Sequence, residues 1–246
     1  MKKSFHIIAV TCLALLAPMG NTRTQNVAPA DTSVLAGEIA LISSDTGKPL
    51  EDASRAVVWL SPLEHTQLVR ETAEKQQNFR VVQHNKKFEP SLLVVPVGST
   101  VDFPNLDPWF HNVFSLYRGK RFDLGLYQAG SQKSVRFDRA GPSYLFCNIH
   151  PEMTGVILAV DSEFFSTSDK AGHYSIAGIP AGKYTLHVWH ESAPPAALQT
   201  LERLVVVEGS HLAALAISIP VTKPMRSDHK NKYGESYDPN SLKTDY

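Results

Sequence analysis
Short apolar runs recur along the chain at spacings of about ten residues, separated by turn-forming positions, which is the pattern of an all-β sandwich. The runs predict strands over residues 37–42, 56–60, 79–83, 91–95, 100–103, 112–116, 134–137, 143–147 and 156–160. Further strands are predicted over 174–176, 184–189, 204–207 and 213–219. Glycine-containing pairs punctuate them, among them Thr46-Gly47, Val97-Gly98, Ala129-Gly130, Ala140-Gly141 and Ala181-Gly182. Residues 63–76 have a weak helical pattern and read equally as a linker. Beyond Pro220 the chain is polar and without apolar period, and a flexible tail is expected over 221–246.

The N-terminus departs from this pattern. Met1-Lys2-Lys3 is a positive start, residues 5–20 are mostly apolar, and a polar stretch follows directly. This is the form of a secretory signal, too short and wrongly flanked for a membrane span. Cleavage falls near residues 19–24 or after Ala28-Pro29-Ala30. Cys12 lies inside the apolar run with Leu13 after it, which argues against a lipidated N-terminal cysteine. The expectation is an exported protein, periplasmic or secreted, with no membrane span in its mature form.

Composition adds exclusions. The chain has 246 residues, 43% of them hydrophobic and 20% charged, so it is long enough for two folded domains and is not disordered overall. Basic and acidic residues number 24 each, which gives no reason to expect a nucleic-acid or polybasic membrane partner. Loss of Lys2, Lys3 and Arg23 with the signal takes the 24 basic residues to 21 against 24 acidic ones, a charge of about −3. It also removes Cys12 and leaves Cys147 alone in a compartment where thiols are usually paired. Such a thiol is buried and inert, pairs between molecules, or binds a metal.

The third option is favoured by the neighbours of Cys147. Cys147-Asn-Ile-His150-Pro-Glu-Met153 has the spacing C-x2-H-x2-M between two predicted strands, so a tight loop can aim thiolate, imidazole and thioether at one point. Two soft ligands with a borderline one suit copper rather than zinc, calcium or magnesium. A trigonal site needs a second histidine, and His111 is the best placed, opening an apolar segment beside the breaker-rich Pro104-Asn-Leu-Asp-Pro108. Two histidines and a cysteine with a weak axial methionine form an electron-transfer copper site. The remaining histidines are weaker candidates: His65, His84, His173, His211 and His229 read as surface residues. The only close pair, His187 and His190, is H-x2-H rather than the H-x-H that would recruit further copper.

At these residues the sequence resembles the cupredoxins, plastocyanin and especially amicyanin. The resemblance rests on the ligand loop, on His111-Asn112-Val113, on Gly141-Pro-Ser-Tyr-Leu-Phe-Cys147 entering the cysteine, and on Phe88-Glu-Pro90 with Val97-Gly98-Ser-Thr-Val101. It covers about residues 78–161 and implies a Greek-key sandwich with one blue-copper (type 1) site. Its ligands would be His111, Cys147, His150 and Met153. The residue equivalent to Asn112 ties the two ligand-bearing segments together in that family, and Asn148 is expected to support the ligands with it. The loop histidine would present its ring edge within an apolar patch where a redox partner docks, here Trp109, Phe110 and Pro151; a core position for the two aromatics is the alternative.

The flanks carry a second resemblance. The segment from Gly37 through Gly47 and Pro49 to Ala53, followed by Ala56-Val-Val-Trp-Leu60, is similar to the opening of carboxypeptidase-regulatory or transthyretin-like, immunoglobulin-like β-sandwiches. Ser168-Asp169-Lys-Ala-Gly172-His-Tyr174 and Ile179-Pro180-Ala-Gly182-Lys-Tyr184 resemble their middle. The expected organisation is a signal and linker over 1–30, the first part of this sandwich over 33–62, a linker over 63–77, the cupredoxin over 78–161, the second part over 162–220, and the tail. Two flanking extensions on one larger domain are the alternative. Trp189-His190-Glu191 reads as a strand end or, alternatively, as an interface with the copper domain. The fusion resembles exported proteins labelled methylamine utilisation proteins. The expectation from the copper ligands is a protein that is not an enzyme and passes single electrons between redox partners. A periplasmic copper carrier or sensor, and a non-redox docking or adhesion module led by the second sandwich, are the rival readings. The oligomeric state is not legible.

Overall fold
The computed structural model describes residues 32–63, 78–116, 119–208, 214–222 and 232–233. The expected signal, the helix-or-linker segment over 64–77 and most of the expected tail, with His65, His211 and His229, lie outside these residues. From the N-terminus, β1 (Thr32–Ser43) and β2 (Val57–Pro62) precede a run of ten strands. These are β3 (Phe79–Arg80), β4 (Val82–His84), β5 (Lys87–Glu89), β6 (Leu92–Pro96), β7 (Thr100–Pro104), β8 (His111–Ser115), β9 (Phe122–Tyr127), β10 (Gln132–Arg136), β11 (Gly141–Phe146) and β12 (Thr154–Val160). β13 (Phe165–Thr167), β14 (His173–Pro180), β15 (Gly182–Trp189), the short helix α1 (Pro195–Thr200), β16 (Arg203–Val207) and β17 (Leu215–Val221) complete the fold. The protein is all-β, as its apolar spacing predicts.

The strands form two sheet pairs. In the first, β14-β1-β17 faces β13-β2-β15-β16 across a core that includes Leu35, Ile39, Leu60, Ile176, Leu186 and Ile219. In the second, β10-β7-β3 faces β6-β12-β11-β8-β9, and Phe88, Phe103, Val113, Phe137, Leu145 and Ile157 fill the space between. β1 and β2 thus share sheets with strands from the far end of the chain; of β3–β12, eight build the second pair, and β4 and β5 pair as a separate two-stranded sheet.

Alternation along β12 explains how the pairs meet. Ile157 and Ala159 point into the second core, while Val156, Leu158 and Val160 point out of it. The outward set packs with Val94, Val57 and Trp189, and Trp59, Tyr144 and Phe165 border it. β12 is therefore buried on both faces, which is why its sequence is a continuous apolar run instead of an alternating one. Arg55 spans the same seam. Its Nε donates to Glu191 Oε1 at 3.2 Å and its Nη1 to Ser91 Oγ at 2.7 Å. Trp189 and Glu191 accordingly lie at the interface.

Several elements differ from the sequence expectation: the strand expected over 79–83 is split into β3 and β4, and β5 and β13 were not expected. β1 begins at Thr32, five residues before the predicted strand, because polar Thr32 and Ser33 pair with Pro180 and Ile179. β9 was hidden by its exposed positions and by Gly125 at φ +63°. α1 buries none of its residues, so it leaves no apolar stripe to detect. The region expected to be tail also begins in structure: Val221 pairs with Ser43, and the Thr222 N–H donates to the Ser192 carbonyl at 2.8 Å. Gly172 is a position where only glycine fits. Its φ is +88°, and a Cβ there would lie 2.0 Å from the Ile39 carbonyl oxygen.

Candidate metal centre
The site is built where β8 begins and β11 ends. The two strands are antiparallel neighbours, with Phe146 opposite Phe114, so His111 at the head of β8 and Cys147 just past β11 come to the same end of one sheet. The loop after Cys147 is closed by two backbone bonds: Met153 N–H to the His150 carbonyl at 3.0 Å, and Cys147 N–H to the Met153 carbonyl at 3.2 Å. This tight closure folds His150 back onto the cysteine. Cys147 Sγ lies 3.9 Å from His111 Nδ1 and 3.7 Å from His150 Nδ1, and the two Nδ1 atoms are 3.1 Å apart. Among the described residues, these three form a group able to hold a metal ion, with all ligand atoms within 4.8 Å.

Burial sets the character of the group. His111 and Cys147 are completely buried, and His150 is half-buried. Met153 is also completely buried, in the same core cluster as Cys147. Burial pushes the Cys147 thiol up, against the backbone N–H groups of Asn112, Ile149 and His150 that bond the sulfur. Burial pushes His111 down, opposed by Asp107. His150 falls to about 4, through burial first and then through the charges of His111 and Lys86. Both imidazoles are therefore neutral at pH 7, with lone pairs available, and the thiol holds a proton that an incoming cation can displace.

A residue that the sequence reading passed over holds His111. Asp107, inside the segment read only as breaker-rich, places Oδ2 2.7 Å from His111 Nε2. Asp107 is buried, and burial would raise its carboxyl; the N–H of Lys86, the His111 ring and the N–H of Asn85 outweigh this and keep it below the ordinary value. An ionised carboxylate only accepts, so Nε2 carries the proton and Nδ1 presents its lone pair to the site. Asn85 and Lys86 sit at φ +53° and +55°, and this left-handed turn aims two successive N–H groups at the carboxylate, at 2.6 and 2.8 Å. The signal was present as the D-x3-H spacing of Asp107 and His111.

The other candidate residues are distributed as follows. The side chain of Asn112 turns away from the loop and donates to Asp123 Oδ1 at 2.8 Å. Asn148 Oδ1 accepts the Lys232 N–H at 3.1 Å. Trp109 is half-buried with Lys86 Nζ 4.8 Å over its ring, Pro151 is half-buried, and Phe110 is 56% exposed. Leu106 and Ile149 are exposed too.

No protein-family model and no curated protein matches the chain. Solved structures do. A Cu-containing nitrite reductase from Thermus scotoductus is 25% identical over 35% of this chain, with a TM-score of 0.33, and the match spans only 23% of that enzyme. A purple cupredoxin from Nitrosopumilus maritimus is 24% identical over 34% of this chain and all of its own, with a TM-score of 0.32. A reduced amicyanin variant is 24% identical over 42% of this chain and 98% of its own, with a TM-score of 0.33.

The donor set passes a simple test of fit. Two atoms bound to one ion are separated by at most the sum of their bonds, about 4.3 Å for a nitrogen at 2.0 Å and a sulfur at 2.3 Å. All three separations fall below that limit. Two imidazole nitrogens, a thiol and a nearby thioether are a set that favours a soft or borderline ion. No helix among the described residues is long and apolar enough to cross a membrane.

Proposed function
We propose that the protein is an exported copper protein that exchanges single electrons with redox partners. The observation that carries this reading is the convergence of His111, Cys147 and His150 in a buried pocket of a β-sandwich. Bound there, copper supplies a one-electron Cu(II)/Cu(I) couple. Cys147 gives up its proton and donates the thiolate, whose charge the surrounding N–H groups stabilise. His111 and His150 donate through Nδ1, and Asp107 keeps His111 in that tautomer. Met153, buried in the same core as Cys147, would offer its thioether as a fourth, weak donor. Asn112 supports the site through its backbone N–H to the sulfur. Asn148 supports it from beside Cys147.

A frame of paired strands on both sides of the donors limits their movement between oxidation states. With His111, Cys147, His150 and Met153 all bound, the ion would have no position left for substrate, which favours a carrier over an enzyme. Phe110, exposed and one residue before His111, is with Trp109 and Pro151 the proposed contact for the partner. The sheet pair of β1, β2 and β13–β17 is proposed as a separate split module that positions the copper domain or docks a partner.

The test is the visible and EPR spectrum of the protein with one equivalent of Cu(II). An intense blue thiolate-to-copper band with narrow hyperfine splitting is expected, and Cys147→Ser should abolish it. A pale, ordinary Cu(II) spectrum would sink the electron-transfer reading. Rapid surrender of Cu(I) to a chelator would favour a carrier or sensor of copper instead.

A further inference from the structure
Two residues of the C-terminal segment, Lys232 and Tyr233, are described, and Lys232 touches both arms of the metal centre. Its backbone N–H donates to Asn148 Oδ1 at 3.1 Å, one residue past Cys147. Its Nζ donates to Asp123 Oδ2 at 2.9 Å. The other oxygen of Asp123 accepts Asn112 Nδ2 at 2.8 Å, one residue past His111, and the Gly125 N–H at 2.8 Å. Asn112–Asp123–Lys232–Asn148 is thus an unbroken hydrogen-bonded chain between the strand that carries His111 and the loop that carries Cys147 and His150.

The local geometry explains why this detour exists. The β8–β9 register slips between Asn112 and Phe114. Such an irregularity re-aims a side chain, and the amide of Asn112 is turned onto Asp123 in the neighbouring strand. Its Oδ1 is buried and has no hydrogen-bond partner among the described residues. Asn112 therefore makes no side-chain bond of its own to the loop. A surface lysine paired with one carboxylate fixes little, because a long side chain is held at one point and screened by water. Lys232 is different: it donates from backbone and side chain to acceptors on two segments.

We propose that Lys232 is a positioning residue of the metal centre, closing the bridge that holds the 147–153 loop against the start of β8. The positioning role rests on the copper reading above, whereas the bridge itself does not. In the metal-free full chain, amide exchange should show the Lys232 N–H protected at least roughly tenfold relative to an unstructured peptide, as expected of a native hydrogen bond. Lys232→Ala should raise the mobility of residues 147–153 in NMR relaxation, with little change in thermal midpoint. In the copper-loaded protein it should speed metal loss to a chelator by roughly tenfold, the low end for groups that support metal ligands. Lys232→Arg, which keeps the charged donor, should restore both.

An unprotected Lys232 amide overturns the bridge, as does a Lys232→Ala loop that moves no more than the parent. Equal copper-loss rates for Lys232→Ala and the parent overturn the positioning role. If the parent takes up no copper, the proposed function fails, and amide protection and loop mobility still decide the bridge.

Discussion
The two sheet pairs solve the same folding problem with different interiors. The pair built from β1, β2 and β13–β17 has a core of Leu, Ile, Val, Ala and Tyr. Its buried polar groups are mainly serines, two of which tie together segments distant in sequence: Ser168 Oγ donates to the Ala53 carbonyl and Ser162 Oγ to that of Leu60, both at 2.6 Å. The second pair, together with the β4-β5 hairpin, buries Gln83, Asn105, Asp107, His111, Asn112, Ser115 and Ser143 as well as its aromatic core. The three buried side-chain atoms without a hydrogen-bond partner among the described residues, Gln83 Oε1, Asn112 Oδ1 and Ser115 Oγ, all belong to it. Burying polar groups costs stability unless they are bonded. The second interior accepts that cost around one cluster of potential ligands. Among the described residues the first shows no such cluster.

The contrast is broken most severely through packing. Leu186 is fully buried in the first core. Leu186→Ala should cost about 2–5 kcal/mol in denaturant unfolding, since a core leucine loses both its transfer energy and its cavity contacts. Below the unfolding transition, the metal-binding spectrum should be unchanged, because Leu186 belongs to a different core from Cys147 and Met153. A spectrum altered under native conditions would show that the two interiors are coupled and would remove the division of labour.

A smaller stability effect but a direct effect on chemistry is expected at Asp107. Asp107→Ala strands the Asn85 and Lys86 N–H groups and frees the His111 ring. The loss should be about 3 kcal/mol, the order expected when bonds to a buried charged acceptor are removed. Asp107→Asn keeps one acceptor and should fold better, yet weaken metal binding roughly tenfold through loss of the carboxylate behind the ligand. Nitrogen-15 NMR of the metal-free protein gives an independent readout: the parent should show His111 as the Nε2–H tautomer, and Asp107→Ala a mixture. A single Nε2–H form in both would mean that Asp107 does not select the tautomer.

The same contrast explains what could be read from the sequence. Apolar alternation follows from strand geometry, so the all-β class was legible, as was the convergence of His111, Cys147 and His150, two of which share one seven-residue loop. Asp107 was not recognised, because its role depends on Asn85 and Lys86, more than twenty residues earlier, adopting left-handed turns that point their N–H groups at it. Lys232 was hidden for a similar reason. It lies in a polar stretch without period, and its partners Asp123 and Asn148 are distant in sequence. Periodicity reports which face of a strand is buried. It carries no information about which distant polar groups will meet there.

The smallest effect is expected at the seam, where Arg55 joins the two pairs while sitting at φ +69°. That conformation costs a non-glycine residue about 1–2 kcal/mol, and glycine adopts it freely. Arg55→Ala loses the bonds to Glu191 and Ser91 but keeps the backbone penalty, and should destabilise by about 1 kcal/mol. Arg55→Gly loses the same bonds and escapes the penalty, so it should be at least as stable as Arg55→Ala, the reverse of the usual order. Measured by urea unfolding, a glycine variant clearly weaker than the alanine variant would mean that the left-handed turn stores no strain. Neither variant should disturb metal binding. The apolar seam of Val57, Val94, Leu158 and Trp189 then holds the pairs together, and Arg55 adjusts the fit at its edge.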